Sequence, residues 1–203
     1  MIETIALDFG NVVGFFDHFR TLRKLAAWTD MTPAQMYAEI YDGDLEDAFE
    51  AGRVQEAEFI EQFRQRCRLR CDHTTLAAAI ADIFVPNEEL CAVLPKLKLR
   101  YRLVLGSNTN PIHSRQFLQQ FSDTFKHFHA VVLSHEVGTR KPGREFYQHL
   151  VRAGQCLPER CVFVDDLASN IEGARACGLK GVVYAGMPGL ARELTALGIE
   201  GAG

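Results

Sequence analysis

Short, uninterrupted apolar runs constrain the fold of this chain more than any other feature of its sequence. Five such runs, rich in β-branched residues and without polar alternation, span residues 4–7, 103–105, 131–133, 162–164 and 182–184. Runs of this kind are typical of strands buried on both faces of a parallel sheet. Helical patterns separate the later runs, so the sequence predicts an α/β fold, a doubly wound (Rossmann-like) parallel sheet of about five strands.

Composition excludes several classes of protein and partner. The 203 residues include 47% hydrophobic and 24% charged residues, an ordinary globular balance, and the formal net charge is −4. A weakly acidic chain lacks the basic surface that binds nucleic acid or an anionic membrane, so we expect neither partner. The longest apolar runs fall well short of the ~20 residues of a membrane helix. An acidic residue, Glu3, stands where a secretory leader would be basic, and the six cysteines are scattered. We therefore expect reduced thiols and a cytoplasmic location.

The long segment between the first two predicted strands indicates an insertion. A crossover between parallel strands needs only about a dozen residues, whereas residues 8–101 separate these two, and we expect no strand among them. Four amphipathic stretches occupy much of the segment, at residues 18–28, 33–41, 56–67 and 74–84. We predict a core formed by residues 1–14 and 88–203, with a helical cap, residues 15–87, inserted after the first strand. Residues 87–99 are expected to return as the crossover helix.

Polar residues follow four of the predicted strands at the points where they end. In chain order they are Asp8, the pair Ser107-Asn108, Lys141, and the pair Asp165-Asp166. The carboxyl ends of parallel strands meet at one edge of a sheet, where ligands of open α/β folds bind. We therefore expect these side chains to converge.

Three carboxylates gathered at one edge would repel one another unless a cation lay between them. Oxygen ligands in an open site favour Mg²⁺. A lysine, a hydroxyl and the amides of the following helix complete a site suited to a phosphoryl anion. A carboxylate beside such a metal, here Asp8, can attack phosphorus without first losing a proton.

These residues also resemble a known family. The segment Asp8-Phe9-Gly10-Asn11-Val12, with Ser107-Asn108, Lys141-Pro142 and Val164-Asp165-Asp166, is similar to the four ordered motifs of the haloacid dehalogenase-like (HAD) superfamily. The residues of these motifs resemble in particular those of a bacterial sugar-phosphatase branch similar to α-D-glucose-1-phosphate phosphatases. The resemblance runs from the first predicted strand to the last helix. It implies a hydrolase with a helical cap inserted after the first motif.

The resemblance also implies roles for individual residues. Asp8 is implied to be the nucleophile that forms an aspartyl-phosphate, with Lys141 as its catalytic partner. The implied Mg²⁺ ligands are Asp8, the Gly10 carbonyl group, Asp166 and, as an additional acidic partner, Asp165. The groups implied to hold the phosphoryl group are Ser107, Asn108 and Lys141.

One position departs from the family pattern. Most phosphatases of this superfamily carry a second aspartate, a general acid and base, where this chain has Gly10. General acid–base catalysis by such a residue commonly raises the rate by ~10²–10⁴-fold. The enzyme could use leaving groups that depart unprotonated, such as the anomeric oxygen of a sugar 1-phosphate, which we favour. Alternatively, Asp17 or His18 substitutes for the missing group, or catalysis is weak.

The sequence therefore predicts a Mg²⁺-dependent phosphatase acting on a small phosphorylated metabolite, in particular a sugar phosphate. A 2-haloacid dehalogenase, in which an aspartate attacks carbon without a metal, is the alternative enzyme. A catalytically weak phosphosugar-binding protein on the same scaffold is the alternative outside enzymes. We expect a monomer or a homodimer.

Overall fold

The computed structural model describes residues 1–201, which contain seven β-strands. In chain order they are β1 (Thr4–Leu7), β2 (Gly14–Phe16), β3 (Phe84–Pro86), β4 (Arg102–Ser107), β5 (Ala130–Leu133), β6 (Cys161–Asp165) and β7 (Lys180–Val183). Five of them form a parallel sheet in the order β5-β4-β1-β6-β7, and this confirms the predicted fold class.

The centre of the sheet is β1, whose four residues are all buried. Ile5 pairs with Leu103 of β4 on one side and with Val162 of β6 on the other. The chain fills one half of the sheet through β4 and β5 and the other half through β6 and β7. The direction of winding therefore changes beside β1, and the crevice for a ligand opens at the carboxyl ends of β1, β4 and β6.

In the part of the chain that the structure describes, twelve α-helices surround the sheet or lie in the insertion. They are α1 (His18–Leu25), α2 (Pro33–Tyr41), α3 (Leu45–Glu50), α4 (Glu56–Arg66), α5 (His73–Ala81), α6 (Glu88–Lys98), α7 (Pro111–Gln120), α8 (Ser122–Phe125), α9 (Ser134–Val137), α10 (Arg144–Gly154), α11 (Ala168–Ala176) and α12 (Met187–Ala196). Within residues 1–201, none of these helices is long and apolar enough to span a bilayer. The six cysteines are free thiols.

Helices α1 to α5 pack around an apolar cluster of their own. Its centre includes Phe49, Phe59 and Phe63, and the rings of Phe49 and Phe59 stack 4.2 Å apart. The two faces of the sheet have separate apolar clusters, one against α6, α7 and α12 and the other against α10 and α11. The helices of residues 15–87, which we continue to call the helical cap, therefore have an independent core.

The expectation that residues 8–101 contain no strand was wrong. β2 and β3 form a separate antiparallel ribbon in which Phe15 pairs with Val85. Each strand has only three residues, too few for an alternating pattern to be recognised in the sequence. Phe84, which the sequence placed at the end of a helix, belongs to β3. The ribbon holds the two connections between core and helical cap side by side.

Candidate active site

Asp8 is the first residue after β1 and lies at the base of the crevice. Its backbone N–H donates to the Val164 carbonyl oxygen at 2.9 Å, which continues the pairing of β1 with β6. Its carboxylate Oδ1 accepts from the Phe9 N–H at 2.7 Å and lies 2.7 Å from the Lys141 Nζ atom. Only 7% of the residue is exposed. Burial raises the pKa of Asp8 to about 7, although Lys141 acts in the opposite direction.

Lys141 enters the site from the loop between α9 and α10. Its ammonium group contacts three acceptors, Asp8, Asp165 Oδ2 at 2.8 Å and the Gly106 carbonyl oxygen at 3.0 Å. Burial alone would lower the pKa of this lysine, but the two carboxylates outweigh burial and raise it. The group therefore stays charged, and all three of its donors are used.

The three predicted acidic residues come together. Oxygen atoms of Asp8, Asp165 and Asp166 lie within 4.8 Å of one another. Asp165 is fully buried, and its two oxygens accept from Lys141, from Asn170 at 3.0 Å and from the Leu167 N–H at 2.9 Å.

Asp166 is only partly buried and accepts from the Asn11 side chain at 3.0 Å. Asp8 and Asp166 therefore have carboxylate oxygens available to a cation, whereas those of Asp165 are engaged by protein donors. This oxygen-only donor set fits Mg²⁺.

Ser107 is the last residue of β4 and Asn108 follows it, and both line the same cavity as Asp8. The Asn108 side chain donates to the Lys141 carbonyl oxygen at 3.0 Å and accepts from the Lys141 N–H at 2.8 Å. This pair of hydrogen bonds fixes the loop that carries the lysine. The structure therefore gives Asn108 a positioning contact in addition to the phosphoryl contact that the sequence predicts.

The cavity above these residues has a volume of about 280 Å³. This value is at the small end of ligand pockets. Its base consists of the predicted residues Asp8, Gly10, Ser107, Asn108, Lys141 and Asp166. The other lining residues include a set that we call the opposite wall, namely Phe16, His18, Glu46, Glu50, Phe84, His113 and Arg140. Of this second set, only His18 was considered for a role from the sequence.

Glu46 and Glu50 belong to α3, a helix that the sequence did not predict. Arg140, the residue before Lys141, contacts Glu50 Oε2 and Asp47 Oδ1 at 2.7 Å each and so joins the helical cap to the core. Burial opposes the charge of Arg140, but the two carboxylates outweigh it and raise the pKa of the guanidinium group. Burial raises the pKa values of Glu46 and Glu50.

Phe16 occupies the space beside Gly10. A Cβ atom at position 10 would lie 2.9 Å from the Phe16 Cε1 atom. An aspartate there would therefore displace this ring.

Of the two substitutes considered for the missing acid, Asp17 caps α1 by accepting from the Phe19 N–H and pairs with Arg23 at 2.6 Å, outside the residues that line the cavity. His18 lines the cavity, and burial lowers its pKa to about 4. Its imidazole is therefore neutral near pH 7.

His113, in the first turn of α7, is buried beside His18. Its Nδ1 atom lies 3.0 Å from the Asn110 side-chain nitrogen, and its Nε2 atom lies near the Ile80 carbonyl oxygen without hydrogen-bond geometry. Burial lowers the pKa of His113 to about 3. The unfolded chain therefore binds a proton at this residue between about pH 6.5 and pH 3 that the folded chain does not, so this histidine destabilises the fold as the pH falls.

We expect His113→Gln to gain about 2 kcal/mol in unfolding free energy relative to the wild type when the pH is lowered from 7 to 5. The carboxyl groups with raised pKa values stabilise the fold as the pH falls. They do so equally in the variant and the wild type, so their contribution cancels when the two unfolding free energies are subtracted. Urea unfolding of both proteins at the two pH values measures this difference in unfolding free energy. His127→Gln, at a partly exposed histidine outside the cavity, is the control and should show a smaller gain. A His113→Gln difference that does not vary with pH would contradict this account of the buried imidazole.

Comparisons with known proteins identify chains of similar sequence and fold. A family model described as a haloacid dehalogenase-like hydrolase matches residues 2–178. A D-ribitol-5-phosphate phosphatase of Bacteroides thetaiotaomicron is 26% identical over 190 residues, which cover 89% of this chain and 90% of that protein.

Two solved structures share the fold. A HAD-like family hydrolase of Porphyromonas gingivalis superposes with a TM-score of 0.80 at 23% identity, covering 96% of this chain and 98% of the other. A HAD family enzyme of B. thetaiotaomicron, solved with magnesium and inorganic phosphate, gives 0.77 at 23% identity over 92% of this chain and 96% of the other.

Proposed function

The chain belongs to the haloacid dehalogenase-like hydrolase family, and on this basis we propose that it is a Mg²⁺-dependent phosphatase of a small sugar or polyol phosphate. The observation that carries the proposal is the buried contact of Asp8 with Lys141 at the base of the cavity, beside the Asp165-Asp166 pair. The relative named as a D-ribitol-5-phosphate phosphatase supports a phosphorylated polyol or sugar as the class of substrate.

Asp8 is the nucleophile in this proposal. Because Phe9 and Lys141 both contact its Oδ1 atom, Oδ2 is the oxygen available to attack phosphorus. A bond forms between Oδ2 and phosphorus as the bond from phosphorus to the leaving oxygen breaks, and that oxygen then takes a proton from solvent. A water molecule next attacks the phosphorus of the aspartyl-phosphate, releasing inorganic phosphate and restoring the carboxylate. Lys141 holds Asp8 in place and offsets negative charge on the transferring group.

Asp8, Asp166 and the Gly10 carbonyl group would hold Mg²⁺, with Asp165 fixed behind them by Lys141 and Asn170. When bound, the metal neutralises charge on the phosphoryl oxygens and on the attacking carboxylate. The fit rests on the three clustered carboxylates, whose oxygen atoms lie within 4.8 Å of one another.

We expect EDTA to abolish phosphate release and added Mg²⁺ to restore it. Asp166→Asn should raise the Mg²⁺ concentration needed for half-maximal rate by about tenfold or more, because a metal ligand loses its charge. Mg²⁺ titrations of phosphate release by the variant and the wild type measure this. Asp123→Asn, at an exposed aspartate, is the matched control. Full activity in EDTA would exclude the proposed metal requirement.

The charges of the cavity favour a phosphatase over a 2-haloacid dehalogenase. The carboxylate of a haloacid needs a cation or free amide to bind it. Among the described residues that line the cavity, the cations are Lys141, engaged by two aspartates, and Arg140, whose terminal nitrogens pair with Asp47 and Glu50 and whose Nε atom alone is without a partner. Halide release from 2-chloropropionate, without phosphate release from any ester, would favour the dehalogenase.

The panel that tests the proposed function contains sugar 1-phosphates, sugar 5- and 6-phosphates, pentitol phosphates, nucleotides and acetyl phosphate. A preference for 1-phosphates would support the interpretation of Gly10 as an adaptation to acidic leaving groups. Mg²⁺-dependent binding of these compounds without turnover would instead favour a phosphosugar-binding protein. The free thiols support the predicted cytoplasmic location. The oligomeric state, monomer or homodimer, stays a prediction.

A further inference from the structure

The cavity wall opposite Asp8 carries polar side chains that the phosphoryl-transfer steps do not use. Glu46 from α3 and His18 from α1 both line the cavity, and their side chains are only 17% and 16% exposed. Both residues come from the helical cap, on the side of the cavity that would receive the leaving group once the phosphoryl group lies at Asp8. These side chains are the ones available to select it.

The position of Glu46 is set by the ion pair of a neighbouring residue on the same helix, Glu50. Glu46 lies one helical turn before Glu50, so the two carboxyl groups project from the same face of α3. Glu50 pairs with Arg140 at 2.7 Å, and Arg140 precedes Lys141, whose ammonium group lies at the phosphoryl site. This ion pair fixes the turn containing Glu46 close to the reacting end of the cavity.

His18 is held by aromatic packing. Its ring centroid lies 4.1 Å from that of Tyr41 and 5.0 Å from that of Phe16. Its Nε2 atom lies 3.9 Å from Glu46 Oε1, and its Nδ1 atom is buried without a hydrogen-bond partner. A buried polar atom without a partner is unfavourable unless a ligand or a water molecule provides one.

The charges on this wall restrict the kinds of leaving group that can bind beside it. An anionic leaving group would find the terminal nitrogens of Arg140 already paired with Asp47 and Glu50. Burial raises the pKa of Glu46 and lowers that of His18, so both groups favour their neutral forms. A neutral carboxyl group and a neutral imidazole exchange hydrogen bonds with hydroxyl groups and form no ion pair with an ammonium group. An apolar leaving group would leave both without partners.

We propose that Glu46 and His18 are specificity-determining residues that hydrogen-bond the hydroxyl groups of an uncharged, polyhydroxylated leaving group. The inference rests on the proposed phosphatase function and adds to it the residues that choose the substrate. The inference also implies that the enzyme discriminates against phosphoesters whose leaving group is anionic, cationic or without hydroxyl groups.

The test compares kcat/KM for a pentitol 5-phosphate and for ethyl phosphate, which has an alcohol leaving group without further hydroxyls. We expect the wild type to favour the pentitol phosphate by about 10²-fold or more, because a site built for hydroxyl groups rejects analogues that lack them. Glu46→Leu and His18→Phe should each reduce this ratio by about 10- to 100-fold, because each removes the hydrogen-bonding group and keeps a side chain of similar size. His18→Phe retains an aromatic ring against Tyr41. Glu39→Leu, the same substitution at an exposed residue of the helical cap, should keep the wild-type ratio.

The outcomes separate the inference from the function on which it rests. Turnover of both esters with an unchanged ratio in Glu46→Leu and His18→Phe would overturn the inference and leave the phosphatase in place. A preference for phosphoethanolamine or 2-phosphoglycolate over the pentitol phosphate would overturn it in the same way. No phosphate release from any compound, including acetyl phosphate, would overturn both. The two variants act at different helices, so the loss of one to misfolding leaves the other as a test.

Discussion

Lys141→Met is expected to abolish phosphate release and to lower the unfolding free energy by about 3–5 kcal/mol at pH 7. The lysine lies between Asp8 and Asp165, at 2.7 Å and 2.8 Å, and its side chain is 1% exposed. Methionine fills a similar volume but leaves two buried carboxylates facing each other without a counter-charge. The Gly106 carbonyl oxygen also loses its donor.

Urea unfolding of Lys141→Met and the wild type in EDTA measures this loss without a metal to offset it. The deficit should shrink at lower pH, because protonation of the carboxyl groups removes their repulsion. Lys126→Met, at an exposed lysine paired with Asp123, is the control and should change stability by less than about 0.5 kcal/mol. A deficit below about 1 kcal/mol for Lys141→Met would show that the ion pairs at the base of the cavity matter little to the fold.

Asp8→Asn is expected to lower kcat by about 10³-fold or more on every phosphoester, because the amide removes the attacking oxygen. The substitution keeps the shape of the side chain, so the folded structure should persist and can be checked by circular dichroism. The loss should be similar for activated and unactivated esters, since each needs the nucleophile. A variant whose loss depends strongly on the leaving group would indicate that Asp8 assists departure and does not form the covalent bond.

The sheet and the base of the cavity could be predicted from the sequence because one physical rule links them. Buried parallel strands are continuous apolar runs, and the residues after them meet at one edge. Asp8 and Asp165 directly follow such runs, Lys141 follows one beyond α9, and the structure places the lysine in contact with both aspartates. The order of the motifs along the chain was therefore enough to predict their convergence.

The opposite wall of the cavity could not be predicted in this way. α3 has six residues, too few for a helical period to be recognised, and its position depends on ion pairs from Arg140 to Asp47 and Glu50. Tertiary contacts of this kind are not visible in local sequence. The acidic segment from Asp44 to Glu50 was the available signal, but surface loops have a similar composition.

The ribbon of β2 and β3 also could not be predicted from local sequence, although it determines what surrounds Gly10 in the cavity. The sequence revealed that Gly10 lacks the carboxylate expected there, but it did not reveal that the Phe16 ring lies against this position. That contact depends on Phe16 pairing with Phe84 across the ribbon. Two strands of three residues separated by the whole helical cap give no local signal of their pairing.

Phosphate release from acetyl phosphate is the most direct test of the central claim. This compound has an acidic leaving group, so neither a general acid nor recognition by the helical cap is needed for turnover. We expect Mg²⁺-dependent release by the wild type, loss of release in EDTA, and loss in Asp8→Asn with Mg²⁺ present. No release by folded wild type with Mg²⁺, or release that persists in both EDTA and Asp8→Asn, would contradict the proposed phosphatase.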